Sequence, residues 1–140
     1  MATLKKLLAP TDFSDLSASG VRYACQLARE NGAELIILNV AILDETNVID
    51  KQDMERHRTR LDRFVAEKLA DASANLKIRK VVDAGEAYGA ILDCADNEGV
   101  DLIVMSSHGR TGLARMLIGS VTDKVLRGAS CPVLVVPAKT

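Results

Sequence analysis

"DLIVMSSHGRTGLARMLIGSVTDKVLRGASCPVLVV", residues 101–136, sets two short apolar runs either side of a glycine-bearing stretch and a helical pattern. The runs 101–107 and 132–136 are apolar almost throughout rather than alternating. Strands buried on both faces have this composition, as in parallel sheets covered by helices. Between the runs, residues 120–128 place Val121 and Val125 on one face and stop at Gly128, which predicts a helix. Ordering glycine costs more backbone entropy than ordering any other residue. Gly109 and Gly119, between strand and helix, therefore need a reason. A bound phosphate is one, and tight turns are another.

The same alternation extends toward the amino terminus. Apolar runs at 4–9, 34–40 and 76–82 predict three more strands, and periodic patterns at 15–31, 52–73 and 86–98 predict three more helices. The order β-α-β-α-β-α-β-α-β implies an α/β domain with a doubly wound parallel sheet and right-handed crossovers. The run at 76–82 mixes Leu76 and Ile78 with Lys77, Arg79 and Lys80, as an edge strand does. The pattern at 52–73 has a stripe of Met54, Leu61, Phe64, Val65, Leu69 and Ala72. The rest, including His57 within "ERHRTR", is expected to be solvated. Asn31-Gly32 and Gly99 read as helix stops.

The 140 residues read as one domain with an aliphatic core, since the chain has no Trp, two Phe and two Tyr. A net charge of −1 leaves no electrostatic footprint for nucleic acid or an anionic membrane, and neither partner is expected. The charge is unevenly spread. Residues 101–140 carry five Lys/Arg against two Asp, a net +3, while residues 1–100 carry thirteen against seventeen, a net −4. The glycine-bearing stretch thus lies in the cationic third, which suits a small anion. Cys25, Cys94 and Cys131 are widely spaced without a C-x-x-C pair, so reduced thiols and a cytoplasmic location are expected. The apolar run in "MATLKKLLAP" is too short for a signal peptide.

In open α/β sheets, ligands bind beyond the carboxyl ends of strands, where strand order reverses. Three predicted strand ends carry polar chemistry: "APTDFS", Asn39-Val40 and "MSSHGRTG". If the first and fourth strands are neighbours, Asp12 faces Ser106, Ser107 and Gly109. Gly119 and Ser120 stand at the start of the last helix, whose free N–H groups attract an anion. Ser120-x-x-Asp123 also fits a capping box, which needs no ligand, and the residues leave both readings open. The segment reads S-x2-G-x9-G-S, two glycine turns converging on a loop with Arg110 and Arg115 inside it. His108 reads as a loop histidine near that site rather than a catalytic base.

With "LLAPTDFSDLSASGVRYACQLA" at the front and residues 101–136 at the back, the chain resembles the universal stress proteins along essentially its whole length. The resemblance implies a flavodoxin-like (Rossmann-like) fold of strand order 3-2-1-4-5 and the nucleotide-binding motif G-x2-G-x9-G-[ST]. It implies that ATP, with Mg²⁺ on its phosphates, binds against Pro10, Thr11 and Asp12 at the ribose and the backbone of Val40 at adenine. Met105 and Ser106 then line the ribose side, with Gly109, Gly119 and Ser120 at the phosphates and Val121 and Thr122 following. The sequence departs from the motif at Ser106, where the family has its first glycine, and a Cβ there is expected to narrow the ribose edge. The resemblance further implies a homodimer through strand 132–136 and a regulatory protein of the stress response with an unidentified protein partner. The alternative is a dimeric interaction module that has lost nucleotide binding. No Walker motif, dinucleotide fingerprint or receiver-type acid pair is present, so catalysis is expected to be slow or nil.

Overall fold

A computed structural model describes residues 3–42, 48–107 and 118–137. Its elements alternate as β1 (Lys6–Pro10), α1 (Asp15–Asn31), β2 (Glu34–Ile42), α2 (Lys51–Lys68), β3 (Ile78–Gly85), α3 (Ala87–Glu98), β4 (Leu102–Ser106), α4 (Ser120–Gly128) and β5 (Val133–Val136). All strand pairs are parallel and the order is β3-β2-β1-β4-β5, as expected.

The near-continuous apolar strands follow from a sheet with two dry faces. Along β1, Leu7 and Ala9 face one core while Leu8 faces the other; Leu35 and Ile37 of β2 oppose Ile36 and Leu38 in the same way. The first core takes Val21, Ala24 and Cys25 of α1 with Leu61 and Phe64 of α2. The second takes Ile91 of α3 and Val125 of α4. Each fully buried Leu or Ile contributes about 1.5–3 kcal/mol relative to exposure, and β1, β2 and β4 supply most of them. Burial pushes the thiols of Cys25, Cys94 and Cys131 up, so these free cysteines pack as small hydrophobes.

Helix ends follow local chemistry. Ser14 caps α1 by accepting the Ser17 N–H (3.1 Å), and Gly32 stops it in the left-handed conformation (φ 63°). The predicted second helix runs too far: α2 ends at Lys68 rather than 73. Beyond it, Arg29 of α1 donates to the carbonyls of Ala72 (2.9 Å) and Ala74 (2.7 Å), and Asn75 turns left-handed (φ 62°) toward β3. β3 is an edge strand, with Lys80 paired to Asp62 at 2.6 Å and Arg79 paired to Glu98. Gly128 is the last residue of α4 rather than a left-handed stop; a Cβ there would stand 2.8 Å from Leu92 Cδ1. Among the described residues no helix is long and apolar enough to cross a membrane.

One contact sets how closely α1 approaches β4. A Cβ on Gly20 would lie 2.8 Å from Ser106 Oγ, 2.9 Å from Ser106 N and 3.1 Å from the Met105 carbonyl carbon. Two of these atoms are backbone and cannot swing aside. Gly20→Ala is therefore expected to cost about 1–2 kcal/mol, because overpacking outweighs the gain in helix propensity. Gly89 in α3 has nothing within 4 Å of its would-be Cβ. Gly89→Ala should instead stabilise by about 0.5–1 kcal/mol. Thermal melts of the two variants should shift in opposite directions.

Candidate functional site

β1 and β4 are neighbours, and beyond their carboxyl ends lies a cavity of about 500 Å³. Pro10, Thr11, Asp12, Val40, Met105, Ser106, Gly119, Ser120, Val121 and Thr122 all line it, so ten of the expected site residues come together. His108, Gly109 and Arg110 lie outside the described residues.

The turn after β1 is built from side-chain hydrogen bonds. Thr11 N–H donates to Leu38 C=O (2.8 Å), carrying the ladder one residue past β1. Ser17 Oγ–H donates to Ser14 C=O (2.9 Å), so in the 2.7 Å contact between Thr11 Oγ1 and Ser17 Oγ the threonine is the donor. Thr11 Oγ1 also accepts the Phe13 N–H (3.0 Å), and its one hydroxyl hydrogen is already committed to Ser17. Asp12 Oδ1 accepts from both the N–H (3.0 Å) and the hydroxyl of Ser14. That carboxylate thus fixes the start of α1 as well as lining the cavity. Phe13 sits at φ 71°, an uncommon conformation for a bulky residue that costs on the order of 1–3 kcal/mol. Its ring lies 6.0 Å from Phe64 and 6.3 Å from His57, beneath the Arg60 guanidinium at 4.5 Å.

Asn39, 3% exposed, closes the floor. Its Nδ2 donates to Thr11 C=O (2.9 Å), and its Oδ1 lies 2.8 Å from His57 Nδ1. His57 is therefore not the solvated surface residue its neighbours suggest. It is half-buried, lines the cavity, and has its pKa held below the ordinary histidine value of 6.5. Burial is the largest cause, with Arg60 and Arg56 adding to it and Asp53 opposing. The next residue of β2, Val40, extends past the last β1 pair, Pro10↔Leu38. Leu38 C=O points toward β1, and the period of two turns the Val40 peptide groups the same way, where β1 has ended.

The opposite wall is the amino end of α4. Its N-cap is Gly119, with no side-chain cap, and Ser120 is the first helical residue. The capping-box reading is thereby removed, and Asp123 pairs instead with Arg127 at 3.1 Å. Gly119 has φ −60° and ψ 153°, which any residue adopts, so its conformation does not require glycine. Its N–H is used by Ser107 C=O (2.7 Å). The first-turn N–H groups of Ser120, Val121 and Thr122 have no helical partner, and they face a cavity that the helix dipole makes electropositive. Thr122 is buried and donates its hydroxyl to Ser106 C=O (3.0 Å), so only its backbone remains for a ligand.

Ser106 does not narrow the site with its hydroxyl. Its Oγ–H donates to Leu16 C=O (2.7 Å) and accepts the Gly20 N–H (3.1 Å). The hydroxyl thus sits between two groups that an α-helical turn joins directly, turned away from the cavity into α1. Ser106→Ala should lose about 1 kcal/mol of stability, read from denaturant midpoints, while leaving the cavity wall in place.

Among the lining residues that the sequence reading does not assign to the site are Phe13, His57 and Arg60, while Asn39 is marked there only as a polar strand end. A signal for one was present, since His57 fills the gap in the α2 stripe between Met54 and Leu61.

The universal stress protein family model matches residues 3–137. Universal stress protein MJ0577 of Methanocaldococcus jannaschii is 30% identical, across 96% of each chain. Universal stress protein YxiE of Bacillus subtilis is 34% identical, over 94% of this chain and 97% of its own. The solved structure of MJ0577 superposes with a TM-score of 0.81 at 31% identity, covering 99% of each chain. A universal stress protein solved in complex with cAMP gives 0.75 at 27% identity, covering 99% of this chain and 100% of that one. With its sheet order, its crevice and its sequence all in agreement, this chain belongs to the universal stress protein family.

Proposed function

We propose that the cavity binds ATP with Mg²⁺ on its phosphates, and that the protein is a cytoplasmic regulator rather than an enzyme. The observation that carries this reading is the start of α4. Three N–H groups without helical partners and a Ser120 hydroxyl that caps nothing face a cavity of nucleotide size. Arg60 and the helix dipole add positive potential, while Ala87 and Ile91 of α3 offer an apolar wall for a base. A relative solved in complex with cAMP supports a nucleotide as the ligand. Magnesium in this reading travels with the triphosphate and is held by it.

ATP would act by favouring one of two conformations of the protein, and so change what a partner protein meets. A ligand shifts such an equilibrium only through different affinity for the two states. We place a homodimer contact along β5, an outer strand whose four residues Val133–Val136 are apolar and half-buried. Pairing that edge across a two-fold axis covers it.

Mass spectrometry of freshly purified protein should find released ATP, and calorimetry should give micromolar binding. Gly119→Val should abolish it. Valine tolerates the backbone angles of Gly119 and costs only about 1 kcal/mol as a poorer N-cap, so the variant folds and its added bulk falls on the phosphate cradle. Unchanged affinity in that variant rejects the site, and absence of binding in the wild type leaves a dimeric interaction module. Turnover of ATP should stay below about 1 per second, under the range of typical enzymes.

A further inference from the structure

His57 has a defined proton position because Asn39 leaves it no choice. The Asn39 amide must direct Nδ2 at Thr11 C=O, since its oxygen would face another acceptor there. Its Oδ1 therefore faces His57, and His57 Nδ1 must carry the hydrogen. In the neutral ring, Nε2 is then a bare acceptor. It has no partner among the described residues, and the ring lines the cavity with Phe13 beside it.

We propose that His57 reads the bound nucleotide, its Nε2 accepting a hydrogen bond from an N–H or O–H donor of the ligand. This deepens the nucleotide reading above and rests on it. Two groups of ATP have that chemistry: the exocyclic amino group of the base and the ribose hydroxyls. Protonation places a second N–H where the ligand's own donor points, and the contact becomes repulsive.

The charged groups around the ring set when this happens. Arg60, Arg56 and Asp53 act on it from α2, and Asp12 of the turn after β1 lines the same cavity. The two arginines and burial outweigh Asp53, so the neutral form prevails at pH 7. Ligand binding through Nε2 favours that form further. Affinity is then full above the ordinary histidine value of ~6.5 and falls as pH drops through the lowered one.

The test is calorimetric titration of wild type and His57→Phe with ATP from pH 8 to pH 5. The variant should bind about fivefold more weakly at pH 8, the loss of one ordinary hydrogen bond. The ratio of wild-type to variant affinity should fall to one and then below it as pH drops. The ATP phosphates also titrate in this range, but equally in both proteins, so the ratio isolates His57. Inosine triphosphate lacks the amino group and 2′-deoxy-ATP and 3′-deoxy-ATP each lack one hydroxyl. The ligand for which wild type and variant become equal identifies the donor.

Identical pH profiles and affinities in the two proteins overturn the role of His57 and leave nucleotide binding standing. No binding by wild type at any pH overturns both. Imidazole nitrogen NMR of the wild-type protein, with the resonance assigned through the variant, gives a readout without ligand. Hydrogen on Nδ1 in the neutral ring, with Nε2 shifting on ATP addition, supports the assignment, and hydrogen on Nε2 overturns it.

Discussion

β1 is hydrogen-bonded on both sides, to β2 from Lys6↔Glu34 to Pro10↔Leu38 and to β4 at Leu7↔Leu102 and Leu8↔Ile103. The chain leaves β1 across one face of the sheet through α1, and reaches β4 from β3 across the other face through α3. Connections that part in this way leave a crevice at their shared end. The cavity is thus a consequence of strand order, before any side chain is chosen. What the side chains decide is its chemistry.

The end of β4 is tied to everything around that crevice. Ser106 gives its hydroxyl to α1 and its carbonyl to Thr122 of α4. Ser107 donates its N–H to Val136 C=O and accepts from Gly119. Two consecutive residues therefore join both helix layers to the neighbouring strand. Ser106 fits beside the cavity because Gly20 lets α1 come close enough to take up its hydroxyl.

Much of this architecture is legible in the sequence, and the unread parts share a cause. Near-continuous apolar runs mark the inner strands because two dry faces leave a strand no polar side, whereas the edge strand β3 is marked by the charges of Arg79 and Lys80 among its apolar residues. Local pattern predicts α2 to residue 73 because Ala72 extends the stripe, whereas the stop depends on Arg29, more than forty positions earlier in the chain. The capping box at Ser120 fits the spacing, but Gly119 precedes it as the true cap. His57 looks solvated among arginines because its partner, Asn39, belongs to another element. Partners distant in sequence are invisible to periodicity.

Asn39 orients an imidazole without charging it. A carboxylate in its place would hold the same ring by the same nitrogen, yet would stabilise the imidazolium and raise its proton affinity. It would also turn an acceptor toward Thr11 C=O, where only a donor fits. The single neutral amide serves both neighbours at once, and the basicity of the ring follows from that choice. One nitrogen in place of one oxygen, on a buried strand, keeps the floor of the crevice uncharged.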